Sequence, residues 1–179
     1  MQKIHSLIKV KMFLFLISTN AALAVWVIVL RLQIQKLHFC PSYGCLNRQG
    51  VDVQWQRHKN KSNQSLIFLD LDNIHQCNEK WGYSVVDAKI KASLKCRKNE
   101  LLRRWYSGDE LIIILPTQEA LATCNRIQNQ LENNGLSGNF AIVPINKNIK
   151  HISEVVKKAS ALVQLTKQNN NRKVIIEGN

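Results

Sequence analysis

Four carboxylates stand where charge is usually excluded. Asp70 and Asp72 follow directly on Leu66-Ile67-Phe68-Leu69, an apolar run of the length that suits a buried strand. Asp109 and Glu110 close a tight turn immediately before a second run, Leu111-Ile112-Ile113-Ile114-Leu115. Carboxylates at neighbouring strand ends can converge on one divalent cation. Mg²⁺ asks for one or two such ligands plus phosphate oxygens, the arrangement used for nucleoside triphosphates. The same spacing fits a plainer pair of roles, with Asp72 capping a helix and Asp109 and Glu110 at a solvated hairpin tip. On spacing alone the two readings stand level.

The elements that position these groups follow from periodicity. A helix is expected near Leu46–His58, then a polar loop at Lys59–Gln64 and the strand at 66–69. Residues 74–97 read as helix interrupted at Gly82. Leu101–Tyr106 and Leu111–Leu115 read as two strands joined by the turn Ser107-Gly108-Asp109-Glu110. A helix from about Thr117 to Asn133 and a strand near Phe140–Val143 follow. Another helix at Ile152–Lys167 and a short strand at Val174–Ile176 complete the pattern. Strands and helices alternate, yet one strand pair is a hairpin. The fold class is therefore α/β, or α+β, with a mixed sheet covered by helices.

With 179 residues, 45% of them hydrophobic and 21% charged, the chain supports one domain of ordinary size. That composition excludes a collagen-like or wholly disordered polypeptide. Lys and Arg number 25 against 12 Asp and Glu, a formal charge of +13. Six of the basic residues (Lys3, Lys9, Lys11, Arg31, Lys36 and Arg48) precede the first acid, Asp52, and flank an apolar segment. Met12 to Leu30 is 19 residues without a charge, long enough to cross a bilayer. Ala21, Ala22 and Ala24 suit a signal-peptide cleavage point, but the apolar run continues through Val25–Leu30 and favours an uncleaved anchor. The flanking charges balance, so they do not set orientation. Much of the basicity belongs to these flanks, and no nucleic-acid partner is expected. Domain boundaries are expected at 1–31 for the anchor helix, 32–44 for a linker or stalk, and 45–179 for the soluble domain. Cys40, Cys45, Cys77, Cys96 and Cys124 are odd in number and contain no CxxC pair, so they read as free thiols.

Two segments together resemble a known family. Asp70-Leu71-Asp72-Asn73-Ile74-His75-Gln76-Cys77-Asn78-Glu79-Lys80-Trp81-Gly82-Tyr83-Ser84-Val85-Val86-Asp87 is similar to the GGDEF-domain segment D-I-D-x-F-K-x-x-N-D-x-x-G-H-x-x-G-D. Tyr106-Ser107-Gly108-Asp109-Glu110-Leu111 resembles the Y-G-G-D-E-F signature. Gly44-Cys45-Leu46-Asn47-Arg48 looks like the domain's opening G-L-x-N-R. Lys167, before an Asn-rich stretch and Arg172, falls where the family ends in A-K-x-x-G-R-N. The resemblance spans about residues 42–176.

The resemblance implies diguanylate cyclase chemistry, in which two GTP condense to cyclic di-GMP with release of pyrophosphate. It implies a palm-like, nucleotidyl-cyclase-like five-stranded sheet, and a homodimer that brings two half-sites together. Asp70 and Asp109 would hold Mg²⁺ (or Mn²⁺) with the backbone carbonyl of Leu71, and Glu110 would hold a second ion. Asn78 and Asp87 match the guanine-reading positions, and Lys167 matches the one that binds terminal phosphate. Ser107 and Gly108 would line the phosphates in the turn, where glycine lets backbone approach closely. Because GTP is cytosolic, the domain would face the cytoplasm from a single-pass helix in the cytoplasmic membrane.

The departures bear on activity. His75 stands where the family has a Lys that stabilises the transition state, so a permanent charge becomes a titratable one. Tyr83 replaces a substrate-contacting His, Val86 replaces a Gly, Ser107 replaces the first signature Gly, and Leu111 replaces Phe. Trp105 stands where an Arg usually precedes the signature. The R-x-x-D product-inhibition motif is missing, with Lys98 and Leu101 at its two positions and Arg97 with Glu100 imitating it one residue out of place. The alternative implied by these changes is a degenerate domain that binds GTP or cyclic di-GMP, or only dimerises.

Overall fold

The computed structural model describes residues 2–57, 63–95, 97, 100–105, 109–168 and 174–177. It divides into two compact units, 1–37 and 38–179. The first is a single helix, α1 (Gln2–Leu37), with a stretch at Ile17–Ile34 long and apolar enough to cross a membrane. The stretch 32–44 is thus split. Residues 32–37 continue the helix, and the second unit already starts at His38.

The second unit contains β1 (Phe39–Cys40), β2 (Cys45–Leu46), α2 (Arg48–Arg57), β3 (Gln64–Leu71), α3 (Ile74–Trp81) and α4 (Tyr83–Ser93). It continues with β4 (Leu101–Arg104), β5 (Glu110–Pro116), α5 (Ala120–Asn133), β6 (Gly138–Pro144), α6 (Ile152–Gln168) and β7 (Val174–Ile176). One sheet runs β1-β2-β4-β5-β3-β6-β7, with β2–β4 and β6–β7 parallel and the other neighbours antiparallel. The five strands legible in the sequence are β3 to β7. Two-residue strands β1 and β2 raise the count among the described residues to seven, and so short a pair carries no periodicity to read.

β3 sits at the centre, paired along its length with β5 on one side and β6 on the other. Its side chains alternate between two cores. Ile67, Leu69 and Leu71 join Val86 and Ile90 of α4 and Cys124, Ile127 and Leu131 of α5. Leu66 and Phe68 join Val51 and Trp55 of α2 and the Ile152, Val155, Val156, Ala159 and Val163 stripe of α6. That stripe has helical spacing and explains why α6 lies on this face. Gly82 separates α3 from α4 at φ 83° and ψ 151°, a conformation that only glycine adopts without strain.

Glu100 shows how the edge of the first core is tied. Its carboxylate receives Arg126 Nη2 at 2.6 and 2.5 Å, the Thr123 hydroxyl at 3.1 Å and the Arg97 amide at 2.8 Å. Glu100 is thereby committed to α5, which removes the displaced imitation of an inhibition motif that Arg97 and Glu100 suggested. Burial alone would raise this carboxyl, but the amide, guanidinium and hydroxyl outweigh it and hold it below its ordinary value. A lowered folded value stabilises the protein above the unfolded one and is lost as pH falls through it. Glu100→Gln is therefore expected to cost about 1–3 kcal/mol at pH 7. The gap should close as pH drops below the ordinary glutamate range, measured by denaturant midpoints from pH 7 to 3. A gap that persists unchanged to pH 3 contradicts this reading.

Candidate functional site

The acidic residues meet because of strand register. Antiparallel pairing places Asp70 directly across from Glu110, and the Leu71 amide donates to the Asp109 carbonyl at 3.0 Å. Asp70 is two residues past Phe68 and Glu110 two before Ile112, in step with the α6-side core, so both side chains belong to that face. On the other flank of β3, β6 comes close beside Asp70 because Gly138 has no Cβ. A Cβ there would lie 2.6 Å from Leu69 Cδ1 and 3.0 Å from the Asp70 carbonyl oxygen. Lys167, in the last turn of α6, reaches the same place, with Nζ 2.7 Å from Asp70 Oδ2.

The electrostatics are those of a crowded anionic site. Burial raises the Asp70 carboxyl above its ordinary value, Lys167 opposes that, and Asp109 and Asp72 reinforce it. Burial likewise raises Glu110, with Asp70 and Asp109 adding to the rise and Lys167 opposing it. Glu110 Oε2 is buried and has no hydrogen-bond partner among the described residues. An orphaned carboxylate oxygen beside a second carboxylate is a place where a cation would be held. Among the described residues no three His, Cys, Asp or Glu side chains form a ready-made metal cage. Mg²⁺ needs no such cage, since substrate phosphates supply the remaining ligands. The donor set here, hard carboxylate oxygens, fits that ion.

The remaining sequence candidates distribute around this cluster. Asp72 neither caps α3 nor faces solvent freely. Its Oδ1 accepts from the Asn139 amide at 2.8 Å and its Oδ2 from the Ser137 hydroxyl at 3.2 Å, and the cap position of α3 is Asn73. Asp109 is half-buried, and Glu110 opens β5 instead of sitting at a solvated tip. Asn78 and Asp87 lie half-buried on α3 and α4, and the Asn78 carbonyl accepts the Gly82 amide at 2.8 Å. Tyr83 is 73% exposed at the start of α4. His75 is exposed on α3, with Nε2 3.2 Å from Glu79 Oε1. Ser107, Gly108 and Arg172 lie outside the described residues.

Sequence reasoning missed one group. Arg104, at the end of β4, places its guanidinium 5.0 Å from the Tyr43 ring and donates to Cys40 Sγ at 3.3 Å. Asp87 and Asp109 both bear electrostatically on Tyr43, whose hydroxyl is pushed up to about 12, chiefly by burial. No spacing in the sequence announces this cluster, because β1, β4 and α4 are brought together only by the sheet.

The mixed sheet covered by helices is palm-like, with carboxylates gathered at the ends of two central strands and a lysine returning from a C-terminal helix. Comparison gives the family. Residues 46–173 match the model of the diguanylate cyclase GGDEF domain, and the chain belongs to that family. The probable diguanylate cyclase DgcC of Escherichia coli K12 is 26% identical over 125 residues, which cover 60% of this chain and 33% of that protein. The chain therefore matches about a third of its curated relative's length. Among solved structures, the diguanylate cyclase SiaD of Pseudomonas aeruginosa, in complex with its activator SiaC, superposes with a TM-score of 0.67 at 18% identity. That alignment covers 98% of this chain and 75% of SiaD. The GGDEF domain of DgcB from Caulobacter crescentus, bound to c-di-GMP, gives 0.63 at 18% identity, covering 80% and 94%. These likenesses establish the fold.

The orphaned oxygen generates a prediction. Glu110→Gln removes one charge from a repulsive pair while keeping its shape, so in chelator it should raise the melting temperature. The rise expected is about 1–3 °C, from a screened repulsion of under about 1 kcal/mol. Added Mg²⁺ should stabilise the wild type more than the variant. A variant less stable in chelator would mean that Glu110 supports the fold as a charged group.

Proposed function

We propose that this chain is a membrane-anchored diguanylate cyclase that condenses two GTP into cyclic di-GMP and releases pyrophosphate, working as a homodimer. The observation that carries the reading is the junction of Asp70, Glu110 and Lys167 at one end of the sheet, with one carboxylate oxygen buried and unpartnered. In this reading Asp70, Asp109, Glu110 and the Leu71 carbonyl hold Mg²⁺. The bound ion neutralises triphosphate charge and lowers the pKa of the attacking 3′-hydroxyl.

The chain's own residues do the rest. Lys167, now on Asp70, carries the positive charge that a terminal phosphate requires and can exchange one anion for the other. Asn78 offers an amide and Asp87 a carboxylate, which complement the guanine N1–H, N2–H₂ and O6 pattern. Tyr83, exposed at the start of α4, adds a further contact to bound nucleotide. Ser107 and Gly108 match the signature positions at which the family lines the phosphates. Each domain holds one GTP, so two copies must face each other for the bonds to form, and catalysis is mostly positioning. α1 serves as the anchor, spanning the membrane through residues 12–30, with the unit that starts at His38 on the cytoplasmic side where GTP is found.

A second reading has its own observation. His75 pairs with Glu79 on the exposed side of α3, where a transition-state cation is expected. This favours a degenerate domain that binds GTP or cyclic di-GMP without turnover, or that only dimerises.

The test is incubation of the full chain, in detergent micelles, with Mg²⁺ and labelled GTP, beside Asp109→Asn. Cyclic di-GMP formation by the wild type, falling by about two orders of magnitude or more in the variant with an unchanged melting temperature, is the expected outcome. Wild-type turnover that persists in the variant would remove Asp109 from the metal site. Absence of turnover with intact GTP binding would leave the degenerate reading.

A further inference from the structure

Away from the acidic cluster, β1 and β2 form a hairpin in which Cys40 and Cys45 are directly opposed partners. Side chains of cross-strand partners stand on the same face, and both thiols are buried in the same core cluster. Directly opposed Cα atoms in an antiparallel pair lie about 4.5–5.5 Å apart, inside the range of about 4.4–6.8 Å that a disulfide spans. The loop 41–44 between them is short, so closing the bond asks little of the backbone.

The surroundings of the two thiols differ in ways that assign separate roles. The Arg104 guanidinium donates to Cys40 Sγ at 3.3 Å, a charge-assisted contact that supports negative charge developing on that sulfur as it reacts. Cys40 also lines an open pocket of about 590 Å³, with Phe39, Pro41 and Arg104 among its walls, which gives a small oxidant a way in. Cys45 instead accepts a hydrogen bond from the Arg104 backbone amide. Its thiol is pushed up to about 11, mainly by burial and then by Cys40, which suits a partner that reacts second.

We propose that Cys40 and Cys45 are an oxidation site for hydroperoxides, closing a reversible disulfide at the edge of the sheet. In the first step the Cys40 sulfur attacks a peroxide oxygen and the O–O bond breaks. Cys40 becomes a sulfenic acid, and one water leaves carrying the thiol proton. In the second step the Cys45 sulfur attacks the Cys40 sulfur, the S–O bond breaks, and a second water leaves. Two thiols are oxidised by two electrons, and one hydrogen peroxide is reduced to two waters. The bond draws Cys40 Sγ towards β2 and away from Arg104, which also stacks on Tyr43. The site stands on thiol geometry and is independent of whether GTP is the substrate.

The experiment treats the full chain in micelles with hydrogen peroxide, blocks remaining thiols, and maps the peptides by mass spectrometry without reduction. The expected product is a Cys40–Cys45 linkage that forms before any pairing with Cys77, Cys96 or Cys124 and is undone by dithiothreitol. In Cys45→Ser, Cys40 should stop at sulfenic acid and be trapped by dimedone. In Arg104→Met, oxidation of Cys40 should slow by about tenfold as the reacting sulfur loses its guanidinium donor. Linkage of Cys40 to another cysteine overturns the proposal. So does over-oxidation of Cys40 with Cys45 still blockable in the wild type, or absence of a dimedone adduct in Cys45→Ser.

Discussion

The register between β3 and β5 is the constraint on which the molecule depends. Side chains alternate along a strand, so a slip of one residue would move Leu66 and Phe68 from one core to the other and bury the wrong face. The long antiparallel pairing from Gln64–Pro116 to Asp70–Glu110 fixes that register, and the apolar residues between them are almost completely excluded from solvent. The same register sets two carboxylates opposite each other at the strand end. Burial energy spent in the middle of the strands therefore holds a repulsive pair together at their tips. Lys167 offsets one member, and an oxygen of the other is left without a partner. Local conflict of this kind, inside an otherwise consistent sheet, is what a functional site looks like in physical terms.

The two helical layers bring different chemistry to that tip. α6 lies on the face shared by Asp70 and Glu110, and its hydrophobic stripe positions Lys167 at its C-terminal end. α3 and α4 lie on the other face and carry Asn78, Asp87 and Tyr83, with Gly82 setting the break between the two helices. Asp72 is taken out of the crowd by Ser137 and Asn139 of the β6 edge. Charge and base recognition would thus be delivered from opposite sides of one sheet end. That division matches a ligand with a triphosphate at one end and a purine at the other.

What the sequence revealed was local. The apolar runs 66–69, 111–115 and 140–143 and the helical stripe of 152–167 correspond to β3, β5, β6 and α6, because burial on both faces leaves an unbroken apolar run and burial along one stripe leaves a helical period. The break at Gly82 was equally plain. The strand order was not legible, nor was the addition of β1 and β2, since two residues carry no pattern. For Asp72 the sequence left a helix cap and a metal ligand level, because its partners, Ser137 and Asn139, lie 65 and 67 residues away. The ties of Glu100 to Arg126, Arg103 to Gln54 and Arg104 to Cys40 were invisible for the same reason. Each joins elements that only the sheet makes neighbours.

The account rests on the claim that the strand-end carboxylates serve a metal-bound guanine nucleotide. Calorimetric titration of the full chain in micelles with GTP, in Mg²⁺ and then in chelator, tests it most directly, with ATP as the second ligand. The account predicts GTP binding that weakens by at least about tenfold, or about 1.4 kcal/mol, when Mg²⁺ is withdrawn, and a comparable preference for GTP over ATP. Equal GTP affinity with and without Mg²⁺, or equal affinity for the two nucleotides, would contradict it.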